Sequence, residues 1–211
     1  MMTFSEFADD PPSDCALCPR LADYRAANVI AYPDSFNAPV PGWGDSRGWL
    51  AIVGMAPGLS GANRTGRPFT GDASGMLLFA MLAQYGLSQG DAEDLRLDGV
   101  LITNAVRCVP PGNKPTSIEI HNCRPFLAAQ LAGLPNLKVV VALGQIAHQS
   151  AVKACGGKLP KTPFGHGQIH RLHTGITIID SYHPSQLNTN TVRLTPAMFD
   201  AVFKAALEER P

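Results

Sequence analysis

The chain has 211 residues, 45% apolar and 16% charged, with Lys plus Arg balancing Asp plus Glu at 17 each. This composition excludes a disordered or coiled-coil protein, and the length suits one domain over 1–211 that buries roughly 70% of its unfolded surface. No apolar run approaches the ~18 residues of a membrane span, and the acidic start lacks a signal-peptide layout, so the expectation is a cytoplasmic protein with no membrane partner.

In chain order, 1–12 reads as a flexible tail, 15–25 as a short helix and 32–48 as an irregular loop rich in Pro, Gly and Asp. Strand candidates follow at 49–53, 99–103, 138–143 and 176–181. Each is apolar along most of its length, as strands covered on both faces must be. Helical patterns lie between them at 75–85, 116–132 and 145–154, and a last helix spans 195–209. Thr116-Ser-Ile-Glu119 has the spacing of a capping box. The Gly- and His-rich stretch 159–172 is expected to be a hairpin or loop on the functional edge of the sheet. This alternation predicts an α/β fold: a three-layer α/β/α sandwich around a four-stranded, mainly parallel sheet. Sites in such sheets gather at the C-terminal ends of the strands.

Charge is unevenly distributed. Residues 107–171 hold eight Lys or Arg and a single acid, Glu119, a net +7, and the remainder carries −7. Acids concentrate at Glu6, Asp9, Asp10 and Asp14, and again at Asp91, Glu93, Asp94 and Asp98. Such segregation either steers a polyanion or reflects ordinary solvated side chains.

Five cysteines stand at 15, 18, 108, 123 and 155. Cys15-Ala-Leu-Cys18 is a CxxC pair; Cys108 follows the second strand and Cys123 lies in the next helix. A reducing compartment disfavours disulfides. The four suit either an all-cysteine zinc site or an iron–sulfur cluster, which spacing does not separate. Cys155 reads as a small buried hydrophobe.

The most informative stretch is Gly54-Met-Ala-Pro-Gly58 leading into Gly66-Arg-Pro-Phe-Thr-Gly-Asp-Ala-Ser-Gly75, which sets an aromatic ring (Phe69) beside a carboxylate (Asp72) before a helix. Arg107-Cys-Val-Pro-Pro-Gly-Asn-Lys-Pro115 and His183-Pro-Ser-Gln-Leu-Asn188 follow. Together with the cysteines, this ordered set resembles the uracil-DNA glycosylase superfamily, specifically its family 5, from Cys15 to about Thr195. The resemblance implies hydrolytic excision of uracil, and of other deaminated bases, from DNA by a monofunctional enzyme. It also implies a 4Fe–4S cluster on Cys15, Cys18, Cys108 and Cys123. Family 5 carries an apolar residue, here Ala56, where other families place a catalytic acid or Asn, and uses the Asp that maps onto Asp72. The chain departs from the pattern at Val192, where the family has glycine ahead of Arg-Leu-Thr.

Cleaving the C1′–N bond passes through an oxocarbenium-like sugar and a departing base anion, so it needs an extruded base, a nearby negative charge and donors at the anion. Phe69 supplies a stacking face, though Phe in such a loop also serves packing. Asp72 orients water, or caps the helix that follows it. Asn104 offers one donor and one acceptor to a base edge, or forms a turn at the strand end. Gly54 and Ala56 shape the base pocket. Asn113 is assigned to the active site by the resemblance, and His183 donates to the base carbonyl. Arg64, Arg67 and Lys114 serve phosphates, with Ser185 and Asn188 as lesser partners. A monomer is expected. A P-loop nucleotidase is excluded because Gly-x4-Gly-Lys-Ser/Thr is absent; a zinc deaminase fails for want of His-x-Glu. The remaining alternative is a non-catalytic iron–sulfur DNA-binding protein of the same fold.

Overall fold

In a computed structural model of the chain, residues 9–90 and 94–210 are described. The expected tail over 1–8, with Glu6, and the acids Asp91 and Glu93 lie outside them. The central sheet has six strands: β1 (Trp43–Gly44), β2 (Leu50–Gly54), β5 (Val100–Asn104), β6 (Val139–Leu143), β7 (Ile169–Arg171) and β8 (Thr177–Ser181). A separate two-stranded ribbon pairs β3 (Ser88–Gln89) with β4 (Arg96–Leu97). Sheet order is β1-β5-β2-β6-β8-β7. The inner four strands run parallel, and β1 and β7 flank them antiparallel. The parallel core is the four-stranded sheet expected from sequence, each strand within a residue of its predicted bounds. Every residue of these four strands is buried, which explains why they are apolar along most of their length.

Helices α3 (Ala73–Gln84) and α7 (Pro196–Glu208) cover one face, packing Leu78, Leu82, Phe199 and Phe203 against Leu50, Ile52 and Val141. Helices α4 (Ser117–Ala132) and α5 (Gln145–Ala154) cover the other, with Leu127, Leu131, Ala147 and Ala151 against Ala51, Val53 and Val140. The capping box at the start of α4 is formed in both directions. Among the described residues no helix is long and apolar enough to cross a membrane.

Three expectations are corrected. The first helix, α1, runs Pro19–Ala31 rather than 15–25. Pro19 sits at its first turn, and a residue before proline is pushed out of the helical region, so Cys15 to Cys18 remain a turn. The segment ending near Pro12 is not free at its described end: the Asp10 carboxylate accepts from Arg107 Nη1 at 2.8 Å and from the Gly42 amide at 3.2 Å. Arg107 is fully buried, and a buried guanidinium demands a counter-charge. The stretch 159–172 holds a short 3₁₀ turn (Leu159–Lys161) and the edge strand β7, which forms the expected hairpin with β8 but contributes no wall to the main cleft. Two small helices, α2 (Ala62–Thr65) and α6 (Gln186–Asn190), complete the elements.

Candidate active site

The sequential first of the parallel strands, β2, lies between β5 and β6, so successive connections leave it in opposite directions. This is the switch point at which open α/β sheets bind ligands, beyond the carboxyl ends of the strands. A cleft of about 710 Å³ opens there. The loop after β2 contributes Met55, Ala56, Gly58, Phe69, Asp72 and Ser74. Asn104 and Asn113 come from β5 and the segment after it, Leu143 to Ile146 from the β6–α5 junction, and His183, Ser185 and Leu187 from beyond β8.

Phe69 is buried in the core and also faces the cleft, so packing and platform coincide. Its φ is +57°, a left-handed conformation that a bulky residue holds only under tertiary constraint. Its ring lies 5.8 Å from that of His183, 29° from parallel. Gly54 stands behind the ring: a Cβ there would come within 2.4 Å of Asn104 Oδ1 and 2.7 Å of the Phe69 ring. Only glycine lets both side chains approach the strand end this closely.

Asn104 is 3% exposed, and its amide makes no hydrogen bond to any described residue. Asn104 lines the cleft, so its amide donor and acceptor are left to whatever enters there. Asp72 is both helix cap and free acid. Its Oδ1 accepts the Gly75 amide at 3.0 Å, while Oδ2 accepts no hydrogen bond from the described residues. A Cβ on Gly61 would lie 2.8 Å from that Oδ2, so glycine keeps its surroundings open. Burial pushes the His183 imidazole below its ordinary range, with the Asp72 charge opposing the shift.

Of the residues expected at the site, Ala56, Phe69, Asp72, Asn104, Asn113, His183 and Ser185 line the cleft. Gly54, Arg64, Arg67, Lys114 and Asn188 do not. Arg64 is exposed on the short helix α2, and Lys114 is exposed on the loop before α4. Arg67 lies over the Trp43 ring at 5.4 Å. Asn188 Nδ2 donates to the His183 carbonyl at 2.8 Å, fixing the His-Pro-Ser turn from inside. Ser185 caps α6. Sequence reading missed Ser74, Gln145 and Leu187. Ser74 and Leu187 stand within the quoted motifs, and Leu187, 73% exposed on the cleft lip, is an apolar residue in a polar motif.

Cys15, Cys18, Cys108 and Cys123 all line one small gap, floored by Leu21, Val106 and Phe126. Three N–H groups face the sulfurs: Arg25 Nη1 at 3.6 Å from Cys108, the Arg107 amide at 3.3 Å from Cys123, and Asn122 Nδ2 at 3.8 Å from Cys18. Burial pushes Cys108 up to about 12 and raises Cys18 and Cys123, so bare thiolates would be costly there. Tetrahedral zinc sets its sulfurs about 3.8 Å apart. The four sulfurs gathered at this gap suit either such a zinc ion or an iron–sulfur cluster. Cys155 stands apart against the α5 side of the core, and burial pushes its thiol up to about 12.

A three-layer α/β/α fold with a base-sized cleft at its switch point, an aromatic floor, an unpaired amide and a free carboxylate describes a protein that handles an extruded planar base. A model of the uracil DNA glycosylase superfamily matches residues 41–207. The chain is 44% identical over 207 residues to the type-5 uracil-DNA glycosylase of Mycobacterium tuberculosis, covering 92% of this chain and 77% of that protein. It is 44% identical over 202 residues to the type-5 enzyme of Thermus thermophilus (91% and 92%) and 41% identical over 202 residues to that of Pyrobaculum aerophilum (92% and 88%). The chain belongs to the uracil-DNA glycosylase superfamily.

Proposed function

We propose that this chain excises uracil, and other deaminated bases that fit the cleft, from DNA by hydrolysis of the N-glycosidic bond, leaving an abasic site. The observation that carries the reading is the unpaired Asn104 amide facing the same cleft as the free Oδ2 of Asp72. A base turned out of the helix stacks on Phe69, and Asn104 offers donor and acceptor to its edge. The open carboxylate oxygen of Asp72 holds the attacking water and stabilises the cationic sugar. A neutral His183 keeps one N–H to donate to the base carbonyl as negative charge grows there. Asn113, exposed at the rim, is placed to assist that water. Leu187 is suited to fill the gap the base leaves in the stack.

The cysteine quartet holds a 4Fe–4S cluster in this proposal. Bound there, the cluster cross-links α1, the β5–α4 connection and α4, and takes no part in the chemistry. Cys123 and Val106 pack with Ala56, so the cluster would brace the wall of the cleft. In this reading the chain acts as a monomer of one domain, in the cytoplasm, where a reducing environment keeps cysteines available to a cluster.

The test is single-turnover excision from uracil-containing DNA. Asp72→Asn keeps the helix cap, because Asn caps as well as Asp, so it removes charge alone. A rate loss on the order of a hundredfold with unchanged DNA affinity is expected. A wild-type rate in this variant at saturating enzyme would reduce Asp72 to a cap, and an inactive wild-type protein would favour the non-catalytic DNA-binding reading.

A further inference from the structure

Behind the α5 wall of the cleft, three side chains converge that the proposed chemistry does not use. Asp180 on β8 is fully buried. His148, one turn into α5 and 1% exposed, brings Nδ1 to 2.7 Å from Asp180 Oδ1. His170 on the edge strand β7 brings Nε2 to 3.3 Å from Oδ2. The three ligand atoms all lie within 4.8 Å of one another.

The arrangement of donors and acceptors calls for positive charge at this point, carried by a proton on the imidazole or by a metal ion. His148 Nε2 lies 2.8 Å from the Thr162 carbonyl, which can only accept, so Nε2 carries hydrogen. Its Nδ1 would then turn a bare lone pair towards a carboxylate oxygen unless a positive centre lies between them. The other oxygen already accepts the Gly165 amide at 3.2 Å and is approached by a second imidazole. Two ring nitrogens therefore converge on one buried carboxylate, and the orientation of one ring is fixed by a backbone carbonyl. That is the outer-shell pattern by which metal-binding histidines are held.

We propose that His148 Nδ1, His170 Nε2 and the Asp180 carboxylate bind a divalent cation of the zinc class. Imidazole with carboxylate suits zinc, whereas calcium and magnesium favour oxygen alone. Tetrahedral zinc with bonds of 2.0–2.1 Å spaces its ligands about 3.4 Å apart. The His170 edge of the triad already has that spacing, and the His148 edge needs to open by less than an ångström. The fourth position falls to water on the His170 side, where the side chain is 10% exposed. The site is structural: it ties α5, β7, β8 and the 162–165 segment together. The first turn of α5 lines the cleft and β8 runs directly into His183, so the cation fixes the wall that carries the base-facing imidazole.

The test uses the whole protein, stripped by chelator and equilibrated with Zn²⁺ at micromolar concentration, with bound zinc and thermal unfolding as readouts. Wild type should retain about one zinc per chain and unfold at a higher temperature with zinc than without. Asp180→Asn and His170→Ala should lose both effects while keeping the wild-type far-UV circular dichroism. His170→Gln, at a partly exposed edge position, serves if either misfolds. Cys18→Ala should keep the zinc. Zinc uptake by wild type no greater than by His170→Ala would show that a proton alone bridges His148 and Asp180, and would overturn the proposal. Zinc lost with Cys18→Ala but kept with His170→Ala would equally overturn it, by assigning the metal to the cysteines.

Discussion

Val192 has φ +57°, in the left-handed region where a β-branched side chain is a true outlier. That conformation costs an L-residue roughly 1–2 kcal/mol relative to glycine. Because Val192 is 69% exposed, its side chain recovers little by packing. Val192→Gly should therefore raise stability by about 1 kcal/mol, less the entropy glycine adds to the unfolded chain. Denaturant titration checks this, and a lower midpoint would show that the valine is packed by something other than this chain. His183 yields a pH prediction. Burial lowers its folded pKa below the ordinary value of 6.5. Stability drawn from its neutral form is then complete above the unfolded pKa and is lost as pH falls through the folded one. The same neutral imidazole is the donor in the proposed reaction. Single-turnover excision should stay flat as pH drops from 7.5 past 6.5 and decline only below that. A midpoint at or above 6.5 would contradict the assignment.

At the level of elements, the N-terminal segment is held by the buried Asp10–Arg107 pair. Arg107 Nη2 also donates to Gln130 on α4, and Val40 bonds its carbonyl. Burial lowers the pKa of Arg107 even against the Asp10 charge, so desolvation is the larger effect. Removing the acid leaves a guanidinium unpaired in the core. Asp10→Ala should cost about 3 kcal/mol, measured by chemical unfolding. A loss under 1 kcal/mol would mean that Gln130 and water satisfy the arginine. The sequence revealed elements where periodicity or capping was strong. Helix α5 has its predicted bounds, and α4 starts at its capping box. The edge strand β1 was not legible: two residues long, it carries no periodic signal and exists because β5 offers a free edge, whereas β7 falls in the stretch expected to be a hairpin or loop. Helix α1 starts later than its apolar pattern suggests because Pro19 marks its first turn and keeps Cys18 out of the helical region.

For the whole molecule, the basic stretch over 107–171 is not wholly available to a polyanion. Arg107 is buried, Arg171 pairs with Glu209, and Glu119 is taken by Arg20 at 2.7 Å. The cations free to meet a backbone near the cleft include Arg64 on α2 and Lys114 on the loop before α4. Arg64→Ala and Lys114→Ala should each weaken DNA binding across sequences and lower the salt slope by about one, leaving the saturated excision rate unchanged. Arg67, held over Trp43, should show a smaller effect on the salt slope. Equal slopes for all three variants would place the DNA elsewhere.

The sequence by itself determined the four buried strands, because a strand covered on both faces must be apolar throughout, and it determined that motif-bearing loops follow their C-terminal ends. It also singled out Phe69, Asp72, Asn104 and His183, which the structure brings together along one cleft. The tertiary structure alone decided the strand order, which places β2 between β5 and β6 and so opens the cleft there. It also decided that Asp72 caps with one oxygen and leaves the other free, and that Asn188 turns inward to hold His183. The convergence of His148, His170 and Asp180 was likewise invisible in sequence, where none of the three stands in a metal-ligand spacing. Parallel pairing joins residues far apart in the chain, and the direction a side chain takes is fixed by the elements packed against it.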